Sequence, residues 1–390
     1  MQQTRQIALA ALASLAFAQD DQSLQQVLSS QSQLASLNTI LGLNPSVMGS
    51  FNNLQNVTVL APDNNALEAV LNNTDSASLF TNSDYITSLL QYHILNGSYP
   101  ASSFGNSSMF IPTHLTNTTY TNVTGGQRVE ARMVGDNVTF FSALKQNASV
   151  VQPNVNFTGG TIHIVNGLLS IPGNVTETLI DANLTAAAGA LRDANLNEPL
   201  GSQRDMTLFA PNNDAFNAIG NIVGNLTTEQ LANILGYHAV NGTVGYSSTL
   251  TSNTTLTSMD GRDITISVIN GDIYANEAKV TVPNILCENG VIHVIDQVLN
   301  PDNVGNTPDV SATTTTAAFT GATSGTTGVP FTSGISTPST TFPAATSGGG
   351  DNAGAGASST SSEGPAMPVK TAGAMQAAAL FGGAAIYWNM

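Results

Sequence analysis

Basic residues are scarce in this chain. Its 390 residues include 9 Lys and Arg against 25 Asp and Glu, which gives a formal net charge of -16 at pH 7. Nucleic acids and anionic membrane surfaces are bound through clustered cations, and the sequence contains no such cluster. The composition therefore excludes nucleic acid as a partner. The remaining candidates are a neutral polysaccharide, a basic partner or a second copy of the chain.

Cysteine is almost absent as well, because Cys287 is the only one. An intramolecular disulfide is therefore impossible, and the hydrophobic core has to stabilise the folded state. A lone exposed thiol outside the cell would oxidise or cross-link, so we expect Cys287 to be a small buried apolar side chain.

Long apolar runs are missing, apart from one short apolar segment near each end of the sequence. Residues 1–18 have a basic start, an apolar stretch and a small-residue cleavage site, which predict a secretory signal peptide; a buried N-terminal helix is the alternative. Residues 366–390 contain a short apolar stretch with no basic residue after it. They predict a removable GPI-anchor signal with attachment at Ser362, and an ordinary disordered terminus is the alternative.

Asparagine-linked glycosylation sequons are abundant between these two segments. The fourteen Asn-x-Ser/Thr sequences, together with a signal peptide, indicate passage through a glycosylating secretory pathway. The candidate asparagines are Asn56, Asn72, Asn96, Asn106, Asn117, Asn122, Asn137, Asn147, Asn156, Asn174, Asn183, Asn225, Asn241 and Asn253. Residues 303–365 contain no sequon, and 25 of these 63 residues are Ser or Thr, so we expect a disordered stalk there.

Three sequence blocks occur twice in the same order, which indicates an internal duplication. The block NVTVLAPDNNAL matches DMTLFAPNNDAF, YHILNG matches YHAVNG, and GTIHIVN matches GVIHVID; they begin at residues 56 and 205, 92 and 237, and 160 and 290. We place the two resulting domains at residues 22–172 and 174–301.

The first copy is longer than the second. Pro62 and His163 are 101 positions apart, whereas Pro211 and His293 are 82 positions apart. Most of the difference falls in a polar stretch at about residues 104–126, which is rich in Asn, Thr and sequons. We expect this stretch to form a longer surface loop or hairpin that carries glycans.

The residue patterns predict helices followed by strands in each copy, which is typical of an α+β domain. In the first copy, residues 57–61 form a β-branched run ended by Pro62, which predicts a buried strand. Asp63 or Asn64 can then cap a helix, as Asn212 or Asn213 can in the second copy. Second helices are expected at residues 84–92 and 228–237, an alternating strand at 263–268, and closing strands at 161–165 and 291–295.

The repeated blocks resemble those of the fasciclin-like family, also called FAS1. The match is closest in the second copy, at residues 207–216, 237–238 and 289–299; in the first copy Leu60 stands where Phe is usual and Asn166 replaces the terminal Asp. The resemblance implies two tandem domains with helices packed on a β-wedge, and a role in cell-surface or matrix adhesion. With signal peptide, stalk and anchor, the chain resembles a fungal surface protein.

Candidate adhesion residues follow from the same resemblance. They are Tyr92, His93, Tyr237, His238, Asn284 and Ile285. Some members of the family are discussed as integrin ligands through an Asp-Ile pair before the last strand. Here Asn284-Ile285 and Asn154-Val155 occupy that place, and both lack the carboxylate of a metal-bridged contact. Packing at the domain centre, with the hydroxyl hydrogen-bonded, is the other expectation for the two tyrosines.

Sequence motifs for catalysis or metal binding are missing. His93, His163, His238 and His293 lie in the duplicated blocks without His-x-His or His-Glu-x-x-His spacing, so we expect them to bond backbone groups within each domain. The chain has no Gly-x-Ser-x-Gly sequence and no Gly-rich phosphate loop that opens a helix. We therefore expect no enzyme activity, no cofactor and no metal.

These features together predict a glycosylated adhesion or wall-associated protein. It is expected at the outer face of the plasma membrane through its GPI anchor, or in the cell wall. The expected partners are surface or wall glycans or proteins, including a second copy of the chain, besides the GPI lipid. The alternative is a glycan- or lipid-binding module that holds its ligand between the helices and the β-wedge.

Overall fold

The computed structural model describes residues 22–43, 45–51, 53–72, 82–303, 308, 310, 318–326 and 328–337. The predicted signal peptide, the predicted anchor signal and Ser362 lie outside the described residues. The described part of the chain forms two α+β domains in tandem, which confirms the predicted fold class.

The first domain begins with helices and continues with strands. Its described helices are α1 (Leu24–Ser30), α2 (Ala35–Gly42), α3 (Pro45–Phe51), α4 (Asn64–Leu71) and α5 (Ser83–Tyr92). Its strands are β1 (Val57–Pro62), β2 (Ile94–Asn96), β3 (Met109–Pro112), β4 (Arg128–Val134), β5 (Asn137–Phe141), β6 (Asn147–Phe157) and β7 (Gly160–Val165). The side chain of Asp63 caps α4 by accepting a hydrogen bond from the Ala66 N–H, as the sequence predicted.

The second domain repeats this order. Its described helices are α6 (Val175–Asp181), α7 (Thr185–Asp193), α8 (Asn197–Gly201), α9 (Asn213–Ala218), α10 (Gly220–Val223) and α11 (Thr228–Tyr237). Its strands are β8 (Met206–Pro211), β9 (Ala239–Val240), β10 (Thr255–Thr257), β11 (Asp263–Ile269), β12 (Asp272–Ala275), β13 (Ala278–Cys287) and β14 (Gly290–Ile295). The short helices that precede β1 and β8 had no counterpart in the sequence-based reading.

Each domain contains one seven-stranded sheet, and the two sheets have the same topology. The strand order is β2-β1-β7-β6-β5-β4-β3 in the first and β9-β8-β14-β13-β12-β11-β10 in the second. The neighbouring strands β1 and β7 are parallel, as are β8 and β14, which places the first and last duplicated blocks side by side. A Cβ atom at Gly290 would lie 1.8 Å from the Met206 carbonyl oxygen, so glycine alone fits at the start of the closing strand.

Two apolar clusters stabilise each domain. One lies between the helices and the parallel strands, and the other lies against the antiparallel strands and includes the buried tyrosine of the domain. Cys287 belongs to the helix-side cluster of the second domain and is fully buried, as expected for a small apolar side chain. Burial raises the pKa of its thiol to about 12, so the thiolate required for cysteine chemistry is not formed at neutral pH.

Residues 104–126 differ in part from the glycosylated surface loop or hairpin that we expected. Strand β3 falls in this stretch and pairs with β4, as in a hairpin. Thr121, Asn122 and Thr124, however, form hydrogen bonds with the second domain. Polar residues predict exposure only on average, because amides and hydroxyls can equally pair with polar groups across a domain interface.

Part of the Ser/Thr-rich segment lies against the second domain. Residues 318–326 and 328–337, called the C-terminal strap, contact α7, α9 and α10. Phe331 packs edge-to-face on Phe216, with 5.8 Å between the ring centroids. Gly189 makes the contact possible, because a Cβ atom there would lie 1.8 Å from the Phe331 carbonyl oxygen. These contacts were not predicted within the segment expected to be a disordered stalk, because composition alone does not reveal a few well-spaced apolar anchors.

Candidate functional site

The duplicated tyrosines lie in the domain interiors. Tyr92 and Tyr237, at the ends of α5 and α11, are both 0% exposed. The Tyr92 hydroxyl donates a hydrogen bond to the Arg128 carbonyl oxygen at 2.9 Å, and the Tyr237 hydroxyl donates to the Asp263 carbonyl oxygen at 2.8 Å. Each tyrosine therefore joins the end of a helix to an antiparallel strand of the sheet, β4 or β11, and a partner at the surface cannot reach its ring.

The histidines that follow these tyrosines connect each helix to the segment after the closing strand. Nδ1 of His93 donates to the Leu89 carbonyl oxygen at 2.8 Å, and its Nε2 accepts a hydrogen bond from the Leu169 N–H at 3.0 Å. His238 makes the equivalent two bonds at 2.8 Å. Because one nitrogen donates and the other accepts, each ring is neutral, and burial lowers the pKa of each to about 4.

The closing-strand histidines are buried as well. Nε2 of His163 donates to the Tyr99 carbonyl oxygen at 2.8 Å, and its Nδ1 accepts from the Asn154 N–H at 3.2 Å. Nε2 of His293 donates to the Gly245 carbonyl oxygen at 2.7 Å. Burial lowers the pKa of both rings, to about 4 for His293. These side chains tie the closing strands to neighbouring loops.

Asn284 and Ile285 form a β-bulge and are not exposed. The register of β13 against β14 shifts between Val282 and Ile285, and Asn284 has φ of 64°, which asparagine tolerates better than most residues. The Asn284 side chain accepts a hydrogen bond from the Ser247 N–H at 2.9 Å and donates to the Ser247 hydroxyl at 2.6 Å. The two residues are 2% and 0% exposed, so they shape the strand and hold the adjacent loop.

Most sequon asparagines are exposed, and eleven of the fourteen are open to solvent along their side chains. Asn117, Asn122 and Asn174 are half-buried. Nδ2 of Asn122, the atom that would carry a glycan, donates to the carbonyl oxygens of Ser202 and Gln203 at 3.4 and 3.1 Å. A glycan at Asn122 would therefore compete with contacts between the domains.

The two domains are joined by hydrogen bonds from residues 121–127. The Asn122 N–H donates to the Glu288 carbonyl oxygen at 2.9 Å, and the Thr124 N–H donates to the Asp205 carboxylate at 2.7 Å. The side-chain amide of Gln127, which is 0% exposed, donates to the Cys287 carbonyl oxygen at 3.0 Å. Paired polar groups at a buried position require one specific arrangement of the two domains.

A cleft of about 430 Å³ lies beside this interface and is lined by both domains. The first domain contributes Phe110 and Arg128, and the second contributes Asp205 and Tyr246. The Phe110 and Tyr246 rings are stacked, with centroids 4.2 Å apart and planes inclined by 13°. Sequence reasoning missed this cleft because domain packing brings the four residues together. The scarcity of cations was the one signal that could have drawn attention to Arg128.

The space between helices and sheet, which the alternative prediction made the ligand site, is filled by side chains. Leu191, Phe216 and Ile292 of the second domain are at most 3% exposed and belong to one continuous apolar cluster. A ligand in this space would have to displace the core, which costs several kcal/mol per large side chain.

Membrane spans and clustered metal ligands are both absent from the described residues. None of their helices has both the length and the apolar composition that a bilayer crossing requires. Nor does this part of the chain bring together three or more His, Cys, Asp or Glu side chains in a group that could hold a metal ion.

Comparison with known proteins places these features in a family. The family model of the fasciclin domain matches residues 16–172 and 182–301. A fasciclin-like arabinogalactan protein from Arthroderma benhamiae is 33% identical over 321 residues, which cover 81% of this chain and 75% of that protein. The fasciclin-like arabinogalactan protein elcF from Phaeosphaeria nodorum is 30% identical over 290 residues, which cover 74% of this chain and 92% of that protein.

A solved structure was also found, that of a FAS1 domain pair from the insect cell adhesion molecule fasciclin I. It is 21% identical and covers 70% of this chain and 98% of its own, with a TM-score of 0.34. The family match spans both sequence repeats and both seven-stranded sheets. The chain therefore belongs to the fasciclin domain family and carries two fasciclin domains in tandem.

Proposed function

We propose that this protein acts in adhesion or in the organisation of the cell wall or extracellular matrix. Family membership supports the proposal, as do relatives named fasciclin-like arabinogalactan protein and, over 40% of this chain, human periostin. The observation that carries it is the hydrogen-bonded interface between the domains. Two domains held in one arrangement present their surfaces together, so one molecule can engage two sites at once with a gain in avidity.

A binding role accounts for the motif residues better than an enzymatic one. His93 and His238 use both ring nitrogens in hydrogen bonds to backbone groups, so neither ring is available as a general base. The Cys287 thiol is buried and protonated. The residues that define the repeats therefore stabilise the domains and leave their outer surfaces for recognition.

Deletion of the gene in the producing cells tests the proposal. We expect weaker attachment to surfaces or altered sensitivity to wall-degrading enzymes, and re-expression of the full chain should restore both. Wild-type behaviour of the deletion strain in both assays would contradict the proposal.

The salt dependence of adhesion identifies the kind of partner. Two copies of a chain with net charge -16 repel one another, so attachment between copies should strengthen as salt rises from about 0.02 to 0.3 M. Attachment to a basic partner should weaken over the same range, whereas attachment to a neutral polysaccharide should change little. Beads coated with the purified protein, tested against each other and against isolated wall, provide the measurement.

We further propose a GPI lipid at Ser362 as the means of attachment, with transfer to wall glucan as a later step. Support comes from the sequence pattern of residues 366–390. Phosphatidylinositol-specific phospholipase C, or glucanase for a wall-linked pool, should release the protein from intact cells. A cell-associated form that still contains residues 377–390 would refute this processing.

A further inference from the structure

We infer that the cleft between the two fasciclin domains binds a carboxylate-bearing ligand, such as a uronic acid residue of a glycan or a small hydroxy acid, with Arg128 and Tyr246 as the groups that recognise the carboxylate. The cleft volume of about 430 Å³ is in the range of small-molecule sites, which are roughly 300 to 1,000 Å³. The inference does not depend on the adhesion proposal, because it concerns binding to the soluble protein.

Arg128 is the first reason for this assignment. Seven of the nine Lys and Arg residues lie in the described part of the chain, and six of these form ion pairs with a carboxylate. Arg128 forms none with any described residue, and its Nε atom is buried without a hydrogen-bond partner there. A buried guanidinium nitrogen without an acceptor is unfavourable in a protein, so a carboxylate that enters the cleft would supply the missing partner.

Tyr246 is the second reason. It is 7% exposed and lines the same cleft, and its hydroxyl is likewise buried without a hydrogen-bond partner among the described residues. Burial raises the pKa of this hydroxyl, so it stays protonated and can donate. A carboxylate is a pure acceptor, whereas Arg128 and Tyr246 both offer donors. The chemistry of the two orphaned groups therefore selects an anionic, acceptor-rich ligand.

The remaining lining residues suit a ligand that also carries hydroxyl groups. Phe110 stacks on Tyr246 and gives the cleft an apolar wall, and Ser248 and Thr249 add hydroxyls. Asp205 is the one carboxylate in the lining, and both its oxygens already accept hydrogen bonds from Thr124. Asp205 therefore holds the domains together and leaves Arg128 available to the ligand.

The site exists only in the two-domain protein. Phe110 and Arg128 come from β3 and from the start of β4, whereas Tyr246 follows β9 of the second domain. The Arg128 backbone is held by the hydroxyl of Tyr92, so the position of its side chain is set by the core of the first domain. Arg128 of the first domain corresponds to Asp263 of the second domain. The Tyr92 hydroxyl donates to the Arg128 carbonyl oxygen just as the Tyr237 hydroxyl donates to the Asp263 carbonyl oxygen. The duplication by itself therefore does not produce the site.

Titration calorimetry of the purified full-length secreted protein at about 0.15 M salt tests the inference. The probes are glucuronic acid and a galacturonic acid oligomer for the glycan source, tartrate for the free hydroxy acid, and methyl glucoside as the neutral control. We expect saturable binding of a carboxylate probe and no binding of methyl glucoside. A preference for uronic acids or for tartrate identifies the source of the carboxylate, and either preference supports the inference.

Matched variants locate the binding. Arg128→Gln should weaken binding of the carboxylate probe by about tenfold or more, because it removes a charge-assisted hydrogen bond. Arg132→Gln is the control, since Arg132 lies on the same strand but pairs with Glu130 at 3.8 Å. Tyr246→Phe keeps the aromatic stack and should weaken binding about threefold to tenfold through loss of the hydroxyl.

Three results would overturn the inference. One is the absence of saturable binding by every carboxylate probe. Another is equal binding of methyl glucoside, and the third is an equal effect of Arg128→Gln and Arg132→Gln. Circular dichroism of each variant shows whether the fold is retained. The affinity of Tyr246→Phe for the carboxylate probe provides a second test in which the charge of the protein is unchanged.

Discussion

Acidification from pH 7 to pH 5 should strongly destabilise both domains, because each contains buried neutral histidines. Burial holds the pKa of His93, His238 and His293 at about 4 in the folded protein. In the unfolded chain a histidine has a pKa of about 6.5. Below pH 6.5 the unfolded chain therefore binds protons that the folded domain does not bind. Stability is fully present above pH 6.5 and is lost as the pH falls towards 4.

The magnitude follows from the two pKa values. Each such histidine should lower the free energy of unfolding by about 2 kcal/mol at pH 5 and by about 3 kcal/mol at pH 4. The second domain contains two of them, His238 and His293, and should lose about 4 kcal/mol by pH 5. This is a large part of the roughly 5 to 15 kcal/mol that stabilises a typical domain.

Buried carboxyl groups act in the opposite direction over part of this range. Burial raises the pKa of Asp296 and of Glu288, so protonation of these groups favours the folded state. Both are only partly buried, so solvent screening limits their effect, whereas the histidine rings are fully enclosed. We therefore expect the histidines to determine the sign of the pH dependence between pH 7 and pH 5.

Urea unfolding at pH 7, 6 and 5, followed by far-UV circular dichroism, measures the effect. His238→Asn lowers stability at every pH because hydrogen bonds are lost, but its pH dependence should be shallower than that of the wild type by about 2 kcal/mol between pH 7 and 5. His114→Gln is the comparison, because burial lowers the pKa of His114 as well but the side chain is only half-buried, so its replacement should change the pH dependence less than His238→Asn does. Equal pH dependence in the wild type and His238→Asn would refute the reasoning.

Three further predictions concern individual contacts. Gly189→Ala should release the C-terminal strap, because its Cβ atom would overlap a strap carbonyl group, and faster proteolysis of residues 318–337 should report the release; Gly42→Ala, where the Cβ atom has open space, should not affect it. Tyr237→Phe should destabilise the second domain by about 1 to 3 kcal/mol in urea unfolding, because the buried side-chain amide of Asn276 loses its acceptor and the Asp263 carbonyl oxygen loses its donor. Asn122→Gln should separate the unfolding transitions of the two domains by weakening the interface about 1 kcal/mol, whereas Asn96→Gln removes an exposed sequon and should leave them unchanged.

Much of each domain could be predicted from local patterns. The strand at residues 57–61, the helices at 84–92 and 228–237 and the closing strands agree with the structure to within about a residue at each end. These segments carry their own signals: a β-branched run before proline, a capping residue, or a regular apolar period. The helices at residues 24–51 and 175–201 were missed because they are short and irregular, and their stability comes from packing on the parallel strands.

The candidate site was less accessible from the sequence. Tyr92, His93, Tyr237 and His238 stood out because they are duplicated, and the structure shows that their duplication reflects hydrogen bonds inside each domain. Asn284 was singled out because it lies where other family members have the Asp of an Asp-Ile pair. Its positive φ at the β-bulge explains why an asparagine occupies this position. Residues that are repeated in both domains reveal what the domains share. The residues that differ between the domains, such as Arg128 and Asp263, distinguish one from the other.

The sequence by itself determined the duplication, the α+β class of each domain and the membership in the fasciclin family, because block order and residue period are local properties of the chain. Only the tertiary structure decided that residues 121–127 join the domains, that the C-terminal strap covers α7 and α9, and that Arg128 and Tyr246 line the same cleft. Such contacts link residues that are between 81 and 160 positions apart. These contacts depend on complementary surface shapes and on hydrogen bonds that form only after both surfaces have folded. No local sequence pattern predicts which two surfaces will pack together.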